Sequence, residues 1–334
     1  MQHVRAMQRT HGAPTRSLPS QQQLSNRVAL ATRAAPCRRR SVRAECSGRP
    51  VAVITGCSTG IGRATAQRLE EEGWDVFAGV RRPEDGAAVA KRHPNVTPVM
   101  LDVTDEASVR AAFKTVADAV GSRGVQGLVN NAGKVTIAPI EFMPVDVFND
   151  MMQVNLVGAM RVTQAFLPLL RAGKNAGRII NISSQSGTVA LPLFGGYNAS
   201  KAGLESLSDV LRYELYEQGI KVVCIKPGPI KTPIWEKSFD GSLKLREGMP
   251  AKALELYGSL MDEVSRLALQ ASEANALPVE DVAEAVLNAL TTPDPEPGIM
   301  MGTSATVQMV LRRYLPDTWW NALMTTMLFK GKGK

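Results

Sequence analysis

Apolar residues run in short unbroken blocks from residue 51 onward, and polar, helix-patterned stretches separate them. VAVIT (51–55), DVFAGV (75–80) and VTPVML (96–101) read as three strands. GLVNNAG (127–133), GRIINISS (177–184) and IKVVCIKPG (220–228) read as three more, the first running into a turn. Between them, DEASVRAAFKTVADAVG places Val109, Phe113, Val116 and Val120 on one helical face. GRATAQRLEEEG, KAGLESLSDVLRYELYEQG and the long stretch 145–173 also read as helices. Strands without polar alternation, each followed by an amphipathic helix, predict a parallel sheet covered on both faces. Right-handed crossovers then make an α/β, doubly wound sheet in a single domain, over about residues 49–300.

Beyond residue 229 the regularity fades. Residues 233–278 read as a helical insertion, PVEDVAEAVLNAL as a helix opened by Pro278, and TTPDPEPG as a turn. The segment 229–275 is expected to cover the substrate. Its Ile234, Trp235, Phe239, Leu243, Met249, Leu254, Leu256, Tyr257 and Met261 suit either an apolar pocket or an ordinary packed lid. Residues 301–334 form a C-terminal segment with a short apolar helix, on which Trp320, Leu323, Met324, Met327 and Leu328 are expected to be buried. That helix packs on its own body, joins a subunit contact, or touches a membrane surface with Lys330, Lys332 and Lys334. No apolar run approaches the roughly 18 residues of a membrane span.

Charge changes the picture in one place. The chain of 334 residues has a net charge of +8, but residues 1–48 hold nine Arg, no Lys and one acid, Glu45. The remainder is therefore neutral, which removes the support for a nucleic-acid partner. The acid-poor, Arg- and Ser-rich opening fits an organellar transit peptide. SVRAEC resembles the cleavage region of green-algal chloroplast transit peptides, so the expected address is the chloroplast, with the mitochondrion as alternative. Four cysteines, two of them in the opening tail, and three scattered histidines give no disulfide framework and no metal site.

TGCSTGIG (55–62) lies between a predicted strand and a predicted helix. Gly56 and Gly60 permit close approach to a phosphate, Gly62 permits close helix packing, and the helix N-terminus offers free N–H groups. Tyr197 and Lys201 stand one helical turn apart, where an ammonium favours the phenolate of a group whose ordinary pKa is about 10. TGxxxGxG, NNAG (130–133) and YxxxK (197–201), in that order, resemble the compact branch of the short-chain dehydrogenase/reductase family. The resemblance is dense over about residues 50–235.

The resemblance implies a Rossmann-type fold and an oxidoreductase that interconverts a carbonyl and an alcohol with a nicotinamide cofactor. Tyr197 would exchange the proton, and Lys201 would lower its pKa and bind the nicotinamide ribose. Ser184, 13 residues before Tyr197, would hold the substrate oxygen; adjacent Ser183 is separated from it by that interval alone. Asn155 would hold a water in a relay from Lys201. The cofactor would lie against Gly56, Ser58, Thr59, Gly60, Ile61 and Gly62, then Asp102 and Val103 at the adenine. Asn131, Ala132 and Gly133 would sit beneath the adenosine ribose, Pro227 and Gly228 would turn the backbone towards the nicotinamide, and Thr232 would reach the carboxamide or the pyrophosphate. Val80 stands where NAD-preferring relatives carry Asp, and Arg81 follows it, so NADP(H) is favoured over NAD(H).

Around the active site, and in SDVLRYEL above all, the chain looks more like dehydrogenases of retinoids, steroids and related lipids than like 3-oxoacyl-carrier-protein reductases. The latter is the alternative enzyme reading, and a non-catalytic dinucleotide sensor the alternative from another class. The helices at about 146–171 and 200–218 would form a homodimer or homotetramer interface, by the same resemblance.

Overall fold

The computed structural model describes residues 48–329, apart from 92, 174–176, 233 and 275, and apart from the side chains of 234–240 and 271–274. The proposed transit peptide and the terminal lysines lie outside the described residues. The chain runs β1 (Val51–Ile54), α1 (Gly60–Glu71), β2 (Asp75–Val80), α2 (Pro83–Ala90), β3 (Val96–Met100), α3 (Glu106–Val120) and β4 (Gly127–Asn130). It continues with α4 (Val145–Met152), α5 (Gly158–Ala172), β5 (Arg178–Ile182), α6 (Gly195–Glu214) and β6 (Lys221–Pro227). The last part holds α7 (Ile234–Glu247), α8 (Ala251–Ala274), α9 (Val279–Thr291), β7 (Gly298–Met301), α10 (Thr303–Tyr314) and α11 (Asp317–Phe329).

The strands form one parallel sheet in the order β3-β2-β1-β4-β5-β6-β7. Each central strand is buried on both sides, and alternate side chains go to opposite cores. Ala52 and Ile54 of β1 pack with Leu69 of α1, Val89 of α2 and Val286 of α9. Val51 and Val53 pack with Val116 of α3 and Phe166 of α5. This explains the unbroken apolar blocks in the sequence. The strand order reverses between β1 and β4, so a crevice opens at the carboxyl ends of the sheet there.

The seventh strand, β7, was not foreseen. It has four residues, no fully buried one, and lies at the sheet edge after a Pro-rich turn. Neither was α2, whose Gly86 weakens the helical pattern. A Cβ there would stand 2.8 Å from Pro98 Cβ, so Gly86 lets the helix lie against β3. Pro98 itself is tolerated because β3 is the other edge.

The insertion between β6 and α9 leaves and returns at one point. Leu277 N donates to Pro229 O (3.0 Å) and Lys231 N to Leu277 O (3.0 Å). Its helices α7 and α8 lie over the crevice, and the expected lid face is partly redrawn. Met261 is buried and Met249 and Tyr257 pack beside it, joined by Leu245, Leu260 and Val264. Leu243, Leu254 and Leu256 point outward. The side chains of Ile234, Trp235 and Phe239 lie outside the described residues.

The C-terminal helix is corrected in the same way. Trp320 is buried against Val189 and Met309, and Met324 packs beside it, but Leu323 and Met327 are exposed. No helix among the described residues is long and apolar enough to cross a membrane.

Candidate active site

Two glycines of the loop between β1 and α1 have left-handed backbone, Gly56 at φ 70° and Gly60 at φ 60°. A Cβ on Gly56 would stand 2.9 Å from Ala132 Cα, and one on Gly62 2.5 Å from Gly56 O. Asn131 makes this packing specific. Its amide nitrogen donates to Thr55 O (2.8 Å) and Gly56 O (3.1 Å), and Thr55 Oγ1 accepts from Asn131 N (3.0 Å) and Ala132 N (2.9 Å). The Asn131 amide therefore shapes the glycine loop.

Several features fit this loop to a dinucleotide. Helix α1 begins with Thr59 making no side-chain cap and has no acid in its first turn, so its N–H groups and dipole are open to a pyrophosphate. Thr232 lies against Gly60, and its buried hydroxyl has no partner among the described residues. Such an atom is costly unless something else satisfies it. The side chain of Gln185, beside Gly228, likewise has a buried, unpartnered oxygen; the sequence reading missed it.

Around the adenosine end, Asp102 accepts from Thr104 N (2.9 Å) and Thr104 Oγ1 (2.7 Å). Burial would raise its carboxyl pKa, but these bonds and the charge of Arg81 outweigh burial and leave it lowered. Arg81 is exposed just past β2, whereas its neighbour Arg82 is held by Asp85 (2.9 and 3.0 Å). Val103 is buried in the core, and its carbonyl accepts from Arg161 (2.6 Å). Ile61 packs against the other core, so the side chains of both Val103 and Ile61 are turned to the interior and a dinucleotide could meet them only through backbone. Cys57 is a buried thiol pushed up by desolvation, and so is no thiolate.

At the other end of the crevice the first turns of α6 carry Tyr197 and Lys201. The Ser184 side chain lies near enough to the Tyr197 phenol to draw its pKa down. Ser183 points elsewhere, donating to Lys201 O (3.4 Å) and Glu205 Oε1 (3.1 Å). Lys201 is buried, with Nζ 2.8 Å from Ile182 O and 5.7 Å from the centre of the Tyr197 ring. Desolvation lowers its pKa to about 8. Burial also pushes the Tyr197 phenol above its ordinary value, and the nearby Ser184 hydroxyl offsets only part of this. In the chain alone, desolvation of the phenol thus outweighs the pull that the sequence reading assigned to the ammonium.

Asn155 sits in a π-helical turn, Gln153–Val157, that joins α4 to α5 within the long predicted helix. Such a turn displaces one backbone bond and turns a side chain inward. Its oxygen accepts from Lys134 N (2.8 Å), and its nitrogen donates to Lys134 O (2.9 Å) and Ser200 Oγ (2.9 Å). A Cβ on Gly133 would lie 3.5 Å from Asn155 Oδ1 and 3.7 Å from Lys201 Nζ, so both groups converge over that glycine.

Above Tyr197 the surroundings are apolar. Val135, Ile137, Leu193 and Phe194 meet Met261 and Val264 of α8, and Leu245 and Met249 close from the side. Leu193 holds a left-handed backbone, φ 70°, which is uncommon for a branched side chain and marks strain beside the site. A phenol near a serine hydroxyl, beside a buried ammonium and under an apolar cover, can pass a proton to or from a substrate oxygen. A nicotinamide, when bound, supplies the hydride chemistry.

Comparison with known proteins agrees with this geometry. Residues 50–242 match the family model described as short chain dehydrogenase. The chain is 34% identical to the NADPH-dependent 3-dehydrocapnine reductase of Ornithobacterium rhinotracheale, over 80% of this chain and 93% of that protein. It is 36% identical to retinol dehydrogenase 7 of Rattus norvegicus, over 79% of this chain and 84% of that one. A short-chain dehydrogenase from Burkholderia cenocepacia, solved with NADP, superposes with a TM-score of 0.62 at 26% identity, covering 84% of this chain and 98% of its own. The chain therefore belongs to the short-chain dehydrogenase/reductase family, whose members related to it are NAD(P)-dependent oxidoreductases of carbonyl and alcohol groups.

Proposed function

We propose that the protein is an NADP(H)-dependent reductase or dehydrogenase of a carbonyl or alcohol on an apolar, lipid-like molecule, with Tyr197 as the proton-exchanging group. The observation that carries this reading is the position of Tyr197. Its phenol lies beside Ser184 and is backed by Lys201, and its ring packs with Leu245, Met249, Met261 and Phe194. Such a roof selects apolar substrates and excludes water from the proton transfer. Ser184 would hold the substrate oxygen, and Asn155 with Lys201 would resupply the proton. Relatives named for retinol and for NADPH support the substrate class and the cofactor. Arg81, exposed just past the end of β2, supports recognition of a 2′-phosphate.

The test is nicotinamide absorbance with NADPH and NADH over a panel of retinal, a ketosteroid, a long-chain ketone, an acyl-thioester ketone and a quinone. Turnover of the apolar carbonyls with NADPH, lost in Tyr197→Phe, is the expected result. Best turnover of the acyl-thioester ketone would overturn the substrate class, and a preference for NADH would overturn the cofactor. The Arg-rich first 48 residues support delivery to the chloroplast, which a fluorescent fusion of that segment tests. The exposed Tyr213 and Tyr216 at the end of α6 support a subunit interface there, which sedimentation of the pure protein tests.

A further inference from the structure

Behind Ser184, Tyr197 and Lys201 stands a second group of charges with no part in the reading above. Glu205 lies one turn beyond Lys201 on α6, with a side chain only 15% exposed. Its carboxylate accepts three side-chain bonds. Ser183 Oγ donates to Oε1 (3.1 Å), while Thr188 Oγ1 (3.1 Å) and Lys226 Nζ (2.7 Å) donate to Oε2. Ser183 and Thr188 flank the short turn that begins at Ser184. Gly187, in that turn, leaves room for the carboxylate: a Cβ there would stand 2.7 Å from Glu205 Cδ. Both ends of the Ser184 turn are thus stitched to one carboxylate, and Ser183 N adds a bond to Ile225 O (2.8 Å), next to Lys226.

The same carboxylate bears on Lys201. Glu205 and Cys224 are the groups that favour its ammonium against desolvation. Cys224 is a buried thiol raised to about 11, so it is neutral over the working range and leaves Glu205 as the standing negative charge. Lys226 opposes that charge from the end of β6. Tyr197, on the helix of Lys201, is neutral over the same range.

We propose that Glu205, with Lys226 as counter-ion, is a positioning residue for the carbonyl/alcohol reaction. It fixes the turn that presents Ser184 to Tyr197, and its charge, tempered by Lys226, keeps Lys201 an ammonium. The proposal rests on the roles given above to Ser184, Tyr197 and Lys201. An ion pair that only ties α6 to β6 would need neither the bracketing of Ser184 nor the coupling to Lys201.

The experiment is the pH profile of kcat for carbonyl reduction in four proteins: wild type, Glu205→Gln, Lys226→Met and the double variant. Glu205→Gln removes the negative charge, so Lys201 loses its proton sooner and the alkaline limb moves down by about one pH unit. Lys226→Met leaves Glu205 unopposed, so the limb moves up; Met also fills the space of the lysine stem. The double variant falls between the two. Glu205→Asp keeps the charge but shortens the reach, so its limb stays while kcat falls about tenfold with KM little changed.

Shifts of opposite sign are the signature; limbs that stay in place in both single variants overturn the proposal. Should Glu205→Gln not fold, the upward shift of Lys226→Met decides alone. Silence of the wild type on every substrate would instead count against the catalytic reading. The titration of the Lys201 ε-carbon by carbon-13 NMR, taken as the difference from Lys201→Met, then decides: its midpoint should fall in Glu205→Gln and rise in Lys226→Met. No such opposed movement would overturn the proposal.

Discussion

Below Tyr197, polar side chains bond to one another and to the ends of strands; above it, apolar side chains from an inserted helical pair close the space. The floor is set by fixed geometry. Asn155 is held by Lys134 and Ser200, Lys201 by Ile182, and Ser183 by Glu205, all within 3.4 Å. The cover is set by area. Among the described residues its polar ties to the body are few: Ser242 Oγ accepts from Ile137 N (2.9 Å), and Tyr257 donates to Glu141 (2.7 Å) at the surface. A floor of this kind fixes which atoms react, and a cover of this kind sets which molecules enter.

The largest effect should come from breaking the floor at its centre. Tyr197→Phe keeps the ring and its packing but removes the proposed proton donor, and kcat for carbonyl reduction should fall about 10²–10⁴-fold. NADPH binding, followed by fluorescence titration, should remain. A Tyr197→Phe protein with more than a tenth of wild-type turnover would place the proton transfer elsewhere.

Lys201→Met should separate activity from stability. Its pKa of about 8 in the fold lies below the ordinary 10.5, so the unfolded chain binds more protons between those values. The free energy of unfolding should therefore rise with pH through that window, as the buried charge is relieved. Below about pH 8 the penalty is present in full. Lys201→Met should then be more stable than wild type by about 1–3 kcal/mol in urea titrations near pH 7, while turnover is lost. A variant less stable at pH 7 would mean that the bond to Ile182 outweighs the desolvation.

Gly62→Ala tests the loop that feeds the floor. The added methyl would press on Gly56 O and the Asn131 amide, costing about 1–3 kcal/mol. NADPH binding should weaken about tenfold or more, with the lid untouched. Retained affinity would show that the loop can yield there.

The two regions were unequally legible in the sequence. The glycine loop and the Tyr197–Lys201 pair are local patterns, carried within eight and five residues, and six strands announced themselves by apolar runs that both cores demand. Asn155 was legible as a residue but not as a geometry, because a π-turn leaves the amphipathic pattern of a long helix in place. Glu205 carried no sequence signal of its own, since its partners Ser183, Thr188 and Lys226 are distant in the chain. The strain at Leu193 has no signature in residue type. In α7 and α8, apolar residues occur on more than one face, so the inner side emerged only from packing.

That last ambiguity gives the smallest and most discriminating change. Met249 and Leu243 lie six residues apart and were expected to serve alike, yet Met249 packs toward Tyr197 while Leu243 is 54% exposed. Met249→Ala should raise KM for an apolar carbonyl about tenfold, the scale of a few methylenes lost from a pocket, with kcat little changed. Leu243→Ser should alter KM less than twofold and stability by no more than about 0.5 kcal/mol. Equal effects of the two would mean that the lid acts as a single packed body whose stability, and not its inner surface, governs entry. A difference confined to Met249 would locate substrate choice in the inner face of the lid, apart from the hydrogen-bonded floor.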